Sequence, residues 1–182
     1  MLYLMLANGF EETEAIAALD VIRRGGLEIK TVGVNGLNVT GAHGVKFEAD
    51  ILPEEIYPDN ADGIILPGGM PGTLNLKNST AVIQLLNVCR DKGALIAAIC
   101  AAPSVLGELG MLEKKKAVCF PGFEDSLKGA VLQSAGVVCD GNFITAKGAG
   151  VALEFGAAIT DYFAGKADMS GTEILKQMQM EI

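Results

Sequence analysis

The run Ala94-Leu95-Ile96-Ala97-Ala98-Ile99-Cys100-Ala101-Ala102-Pro103 decides how the rest of the chain is read. Residues 94–99 are continuously apolar, the pattern of a strand buried on both faces, and such strands belong to parallel sheets covered by helices. Cys100 follows at once. Pro103 suits the first turn of a helix, where its missing N–H would have no partner anyway. The small residues around Cys100 let strand and helix backbones approach closely. A strand that turns straight into a helix with a nucleophilic residue at the tip has the layout of a nucleophile elbow.

Working outward, strand-like and helix-like segments alternate. Residues 2–7 form a short apolar run bounded by Asn8-Gly9. Residues 12–24 have helical periodicity at Ile16, Leu19 and Ile22, acids in the first turn, and Gly25-Gly26 as a stop. A second strand is expected at 27–34, a Gly-rich hairpin within 35–50, and a third core strand at 63–66 ending in Pro67-Gly68-Gly69. A helix is expected over 79–92 with Val82, Leu85, Leu86 and Cys89 on one side, and another over about 102–110. Short strands follow at 117–119, 137–139 and 143–146, then an amphipathic helix over 151–164. This order predicts one α/β domain spanning residues 1–182, mostly parallel, with right-handed crossovers and helices on both faces. In such sheets ligands bind beyond the carboxyl ends of the strands. The informative stretches are therefore 8–14, 67–72 and 100–103.

Composition narrows the function. Hydrophobic residues are 50% of the 182 and charged residues 20%, so a packed globular domain is expected. Fourteen Lys and Arg stand against 22 Asp and Glu, a net charge of −8. No basic cluster exceeds Lys114-Lys115-Lys116, which argues against nucleic acid as a partner. The longest uncharged apolar stretch, 93–107, is shorter than the ~18–20 residues of a membrane span and contains Pro103. Residues 1–7 lack the basic flank of a signal peptide, so a cytoplasmic location is expected. The cysteines at 89, 100, 119 and 139 show no C-x-x-C spacing and His43 is the single histidine. A zinc site is not expected, and the cysteines are read as thiols.

Each candidate has two readings. Cys100 is either a small hydrophobe in a core turn or a nucleophile whose thiolate is favoured by the positive end of the following helix. Cys89 belongs to an apolar helix face, and Cys119 and Cys139 end short strands. Glu14 lies in the first helical turn on the same rim as Cys100. It is either a dipole-matched acid facing water, like Glu11 and Glu12, or a buried general acid/base whose pKa rises beside the sulfur. Gly68-Gly69 is either an ordinary turn or a nest of N–H donors that forms an oxyanion hole with the Ala101 N–H. Gly148-Ala149-Gly150 either walls the pocket or makes a tight turn. His43 sits in a Gly-rich loop, at the surface or at the pocket rim; if it does not reach Cys100, no Cys–His dyad exists and peptide hydrolysis is disfavoured. Neither a P-loop nor a G-x-G-x-x-G follows any strand.

The stretches Ala7-Asn8-Gly9-Phe10-Glu11-Glu12-Thr13-Glu14, Leu66-Pro67-Gly68-Gly69 and Ala97-Ala98-Ile99-Cys100-Ala101-Ala102-Pro103 together resemble the ThiJ/PfpI (DJ-one) family, in the branch of the Parkinsonism-associated deglycase and YajL. The resemblance runs from the first strand to Gly148-Ala149-Gly150 and the Phe155 helix. It implies a flavodoxin-like three-layer sandwich and a homodimer. It places Cys100 on an oxidisable nucleophile, Glu14 on the paired carboxyl, and Gly69 and Ala101 on backbone donors facing the sulfur. His43 falls near a basic position at the pocket rim of relatives. The activities implied are a glutathione-independent glyoxalase, repair of methylglyoxal adducts on glycated protein, and redox-linked chaperoning. No metal and no organic cofactor are implied, and the substrate is a small aldehyde or its adduct. Two positions depart from related patterns. PfpI-type proteases carry His directly after the Cys, where this chain has Ala101, and some close relatives carry His-Pro where it has Phe120-Pro121.

Overall fold

Successive residues of a strand point to opposite faces, and here both faces are apolar. In the computed structural model, which describes residues 1–181, Leu2, Leu4 and Leu6 of β1 (Leu2–Leu6) join one core, while Tyr3 and Met5 join the other. The same division continues through β5 (Gly63–Leu66) and β6 (Leu95–Ile99). Ile65, Leu95, Ala97 and Ile99 face one way; Ile64, Leu66, Ile96 and Ala98 face the other. With β2 (Ile29–Gly33), β10 (Phe143–Ala146) and β9 (Val137–Asp140) these strands make one six-stranded sheet in the order β2-β1-β5-β6-β10-β9. All neighbours pair parallel except β10 and β9.

Helices α1 (Glu12–Arg24) and α5 (Ala152–Tyr162) cover the first face; α3 (Thr80–Lys92) and α4 (Pro103–Glu108) cover the second. The result is a flavodoxin-like three-layer sandwich. The expected face of α3 is the observed one: Val82, Leu85, Leu86 and Cys89 are all buried. The face of α1 is the expected one at Leu19 and Ile22 and differs at Ile16. Ile16 is 37% exposed, and the buried stripe is Ala15, Ala18, Leu19, Val21 and Ile22. Small residues win there because α5 approaches at Gly156, where a Cβ would stand 2.9 Å from the Val21 Cβ.

The Gly-rich segment forms a hairpin of β3 (Asn38–Thr40) and β4 (Lys46–Glu48). Two short helices fall where none was expected: α2 (Gly72–Lys77) and α6 (Gly171–Gln177). The sequence does announce α6, since Ser170 and Glu173 form a capping box. The strand expected at 117–119 is only Lys116–Ala117, which pairs with Val131–Leu132 in a separate two-stranded sheet. Among the described residues no helix is long and apolar enough to cross a membrane.

Strand order reverses between β1 and β5: the chain leaves β1 toward β2 on one side and resumes at β5 on the other. In open α/β sheets this reversal opens a crevice at the carboxyl ends. The ends of β1, β5 and β6 lead to the first turn of α1 with Glu14, to Gly68-Gly69 and to Cys100.

Candidate active site

Cys100 comes directly after β6 and adopts φ 65°, a left-handed conformation that costs a side-chain-bearing residue roughly 1–2 kcal/mol. Its neighbours hold it there. The Cys100 N–H donates to the Ala146 carbonyl at 2.9 Å, and the Cys100 carbonyl accepts from the Phe120 N–H at 2.8 Å. The sulfur is thereby held at the strand-to-helix corner, partly open to solvent.

Glu14 reaches the same corner from α1. The preceding Glu11 is the N-cap, and its side chain accepts from the Glu14 N–H at 2.7 Å. That capping turns Glu14 inward, where it is 1% exposed. Its Oε2 accepts from the Gly68 N–H at 2.8 Å, while Oε1 is buried and has no protein partner in hydrogen-bonding geometry. Gly68 is the spacer between the two functional groups. A Cβ there would stand 2.7 Å from both the Cys100 Cβ and the Glu14 Oε2. Gly69 has φ 89°, and a Cβ on it would collide with the Glu11 nitrogen at 2.4 Å. The N–H groups of Gly69 and Ala101 lie beside the sulfur and favour its charged form, and the Glu14 carboxyl lies against it from the buried side.

The electrostatics correct one expectation. The helix after Cys100 was expected to favour thiolate, yet burial pushes the thiol up to about 12, aided by the charge of Glu14 and the hydrogen bond to it; the Ala101 and Gly69 N–H groups oppose this only in part. Helix α4 has six residues and begins three positions beyond the sulfur, so its dipole is a weak counterweight. Burial also pushes the Glu14 carboxyl up to about 7, against its bonds to Cys100 and the Gly68 N–H, with the nearby Glu11 charge adding to the rise. The two groups titrate as a pair, so an ionised sulfur requires the remaining proton to sit on Glu14.

The other candidates lie apart. His43 is exposed, and its Nδ1 pairs with the Glu12 Oε2 at 2.9 Å while its backbone N–H donates to the Glu12 Oε1 at 2.8 Å. The hydrogen bond to Glu12 raises the His43 pKa. No imidazole pairs with Cys100 among the described residues. Glu11 and Glu12, expected to face water, serve instead as helix cap and partner of His43. Phe120 touches the site through its backbone only, and its ring lies against Gly148. Phe120, Pro121 and the loop from Lys147 to Val151 line a separate, open cavity of about 420 Å³, and Cys100 is not among its lining residues. Cys89 is sealed in the α3 core, Cys119 is buried, and Cys139 is exposed on β9. Sequence reasoning missed Glu11 as the residue that aims Glu14; a Glu three residues before another Glu at a helix start is its only signal.

Residues 2–161 match the model of the DJ-1/PfpI family. The chain belongs to this family. Among its DJ-1/PfpI relatives, protein dj-1beta of Drosophila melanogaster is 38% identical over 170 residues, which are 89% of this chain and 88% of that protein. DJ-1 homolog B of Arabidopsis thaliana is 36% identical over 177 residues, 94% of this chain but 40% of the relative, so the chain spans about two fifths of that protein's length. A Thermococcus kodakarensis protein named a deglycase is 32% identical over 146 residues, 79% of this chain and 87% of its own. Among solved structures, oxidised Toxoplasma gondii DJ-1 superposes with a TM-score of 0.93 at 31% identity, covering 100% of this chain and 98% of that one.

Proposed function

We propose that the protein is a cofactor-independent enzyme of reactive carbonyls, converting methylglyoxal-type aldehydes or their protein adducts to hydroxy acids with Cys100 as nucleophile. The observation that carries this reading is the convergence of one thiol, one buried acid and two N–H donors around Gly68. A partly open sulfur beside a nearly inaccessible acid is suited to covalent addition followed by sheltered proton transfer.

The steps follow from the geometry. In the singly protonated pair, transfer of the remaining proton from sulfur to Glu14 gives the reactive minority form, a thiolate stabilised by the Gly69 and Ala101 N–H groups. Sulfur attacks the aldehyde carbon; the S–C bond forms, the C=O π pair moves to oxygen, and Glu14 protonates that oxygen to give a hemithioacetal. The Glu14 carboxylate then takes the proton from the former aldehyde carbon and returns it to the neighbouring carbon through an enediol. The first carbon is oxidised and the second reduced, so no external redox partner enters. Water cleaves the resulting thioester, giving the 2-hydroxy acid and the free thiol. Amide hydrolysis finds no equivalent support, because protonation of a leaving amine lacks an imidazole at the sulfur.

The test is steady-state conversion of methylglyoxal to lactate. Cys100→Ala is expected to abolish it, and Glu14→Gln to lower kcat by about 10²–10⁴-fold. The pair carries no thiolate until its first proton leaves, so kcat/KM should rise with pH through about 7. Wild-type turnover no faster than that of Cys100→Ala would overturn the reading.

The lone Glu14 Oε1 supports a second reading, a redox sensor or redox-regulated chaperone. A protonated oxygen there would donate to a sulfinate on Cys100. Mild peroxide with intact-mass detection separates the two: double oxygenation at Cys100 that is lost in Glu14→Leu, without aldehyde turnover, favours sensing.

A further inference from the structure

Glu11 and Glu12 stand at the start of α1, and the turn between β3 and β4 brings His43 onto them. Their side chains are only 17% and 12% exposed. Among the described residues neither carboxylate forms an ion pair with a Lys or Arg. Adjacent carboxylates shielded from water repel each other and lose hydration, so the pair calls for a cation. Sequence spacing carries no sign of the group, since Glu12 and His43 lie 31 positions apart.

The donor atoms are spaced as ligands are. The His43 Nδ1 stands 2.9 Å from the Glu12 Oε2 and 3.9 Å from the Glu11 Oε1, and one ligand atom from each residue lies within 4.8 Å of the others. Ligands about 2.1 Å from a tetrahedral zinc ion are roughly 3.4 Å apart, so the two spacings to Nδ1 bracket what one ion needs. The opposite oxygens are already held. The Glu12 Oε1 accepts from the His43 N–H at 2.8 Å and the Val45 N–H at 3.3 Å, and the Glu11 Oε2 accepts from the Glu14 N–H at 2.7 Å. Each carboxylate therefore has one oxygen fixed by backbone and the other directed to the imidazole, which is the outer support that orients metal ligands. Gly41 lets the turn close on the helix, because a Cβ there would collide with the Glu12 carboxyl.

We propose that Glu11, Glu12 and His43 form a zinc site, with water as the fourth ligand, that clamps the β3–β4 turn onto the start of α1. An imidazole beside two carboxylates suits Zn²⁺ better than Ca²⁺ or Mg²⁺, which take oxygen ligands. On binding, the Nδ1 lone pair goes to the metal, and the proton shared with Glu12 leaves Nδ1 for solvent or for Nε2. No group changes oxidation state. The ion lies outside the reacting groups, so the site stands whether or not the carbonyl reading holds.

His43 is the single histidine, so its ring resonances report on the site without ambiguity. The experiment titrates the full chain with zinc chloride, following the heat of binding and those resonances together. One equivalent is expected to bind saturably, with the ring signals shifting in step and the thermal midpoint rising with zinc concentration. His43→Ala and Glu12→Gln should each weaken binding by at least about tenfold, the loss that even the outer partners of a metal ligand cause. His43 is 71% exposed, so His43→Ala tests the site without disturbing the core. Cys100 and Cys139 are free thiols and rival ligands. Cys100→Ala and Cys139→Ala are therefore titrated in parallel, and both should bind zinc as the wild type does. Ring signals that zinc leaves unmoved, affinity unchanged in His43→Ala and Glu12→Gln, or binding lost in either cysteine variant overturns the proposal. Equal affinity for calcium also overturns it, since the imidazole would then contribute nothing.

Discussion

The interior of the sheet and its carboxyl rim obey different rules. Inside, every residue of β1, β5 and β6 is buried, side chains alternate between two apolar cores, and backbone groups pair along the strands. A few residues farther on, at the ends of the same strands, a cysteine holds a left-handed backbone, a carboxyl is buried with an oxygen unpartnered, and a glycine stands where a methyl group would not fit. The interior is arranged for stability. The rim spends some of that stability to hold a thiol, an acid and two donors together. Stored strain and shifted pKa values concentrated at one rim are what a reaction centre requires.

Substitutions at three positions would sharpen or break this contrast. The largest effect on stability is expected in the interior. Leu86→Ala removes a fully buried side chain from the α3 core and should cost about 2–5 kcal/mol, read from the urea midpoint, while activity per folded molecule persists.

At the rim the sign should reverse. The folded Glu14 pKa of about 7 lies above the ordinary 4.5, so the folded state holds its proton more tightly. Its contribution is fully present below 4.5 and is lost as pH rises through about 7. Glu14→Gln, which keeps an acceptor for the Gly68 N–H, should therefore remove this pH dependence. At pH 8 it should be more stable than wild type by up to about 3 kcal/mol, measured by denaturant titrations at pH 5 and pH 8. A variant less stable than wild type at pH 8 would show the buried charge to be fully compensated.

The smallest effect concerns the elbow backbone. At an ordinary position Ala is more stable than Gly, but Cys100→Gly should exceed Cys100→Ala by about 1 kcal/mol, because φ 65° suits glycine. Thermal unfolding of the two variants checks this. The reverse order would mean the left-handed corner stores no strain.

Much of this was legible in the chain itself. The uninterrupted apolar runs at 63–66 and 94–99 require burial on both faces, and the small residues around Cys100 mark an elbow. Helix α3 is plain because Val82, Leu85, Leu86 and Cys89 recur at helical spacing over about two turns. Helix α2 is not, since its six residues, opened by Pro71 and Gly72, are too few to show periodicity. Ile16 misled because hydrophobicity alone favours the larger side chain, whereas the close approach at Gly156 selects the alanines around it.

By itself the sequence determined the parallel sheet, the elbow and the set of residues able to do chemistry, since these follow from local pattern and side-chain identity. Only the tertiary structure decided which of them meet. It brought Glu14 to Cys100 around Gly68, joined His43 to Glu12 instead, and set a cavity against Phe120. It also raised the thiol pKa where a helix terminus alone would have lowered it. The reason is physical: desolvation and the charge of a neighbour depend on which groups are packed together across strands far apart in the chain, and no local pattern carries that information.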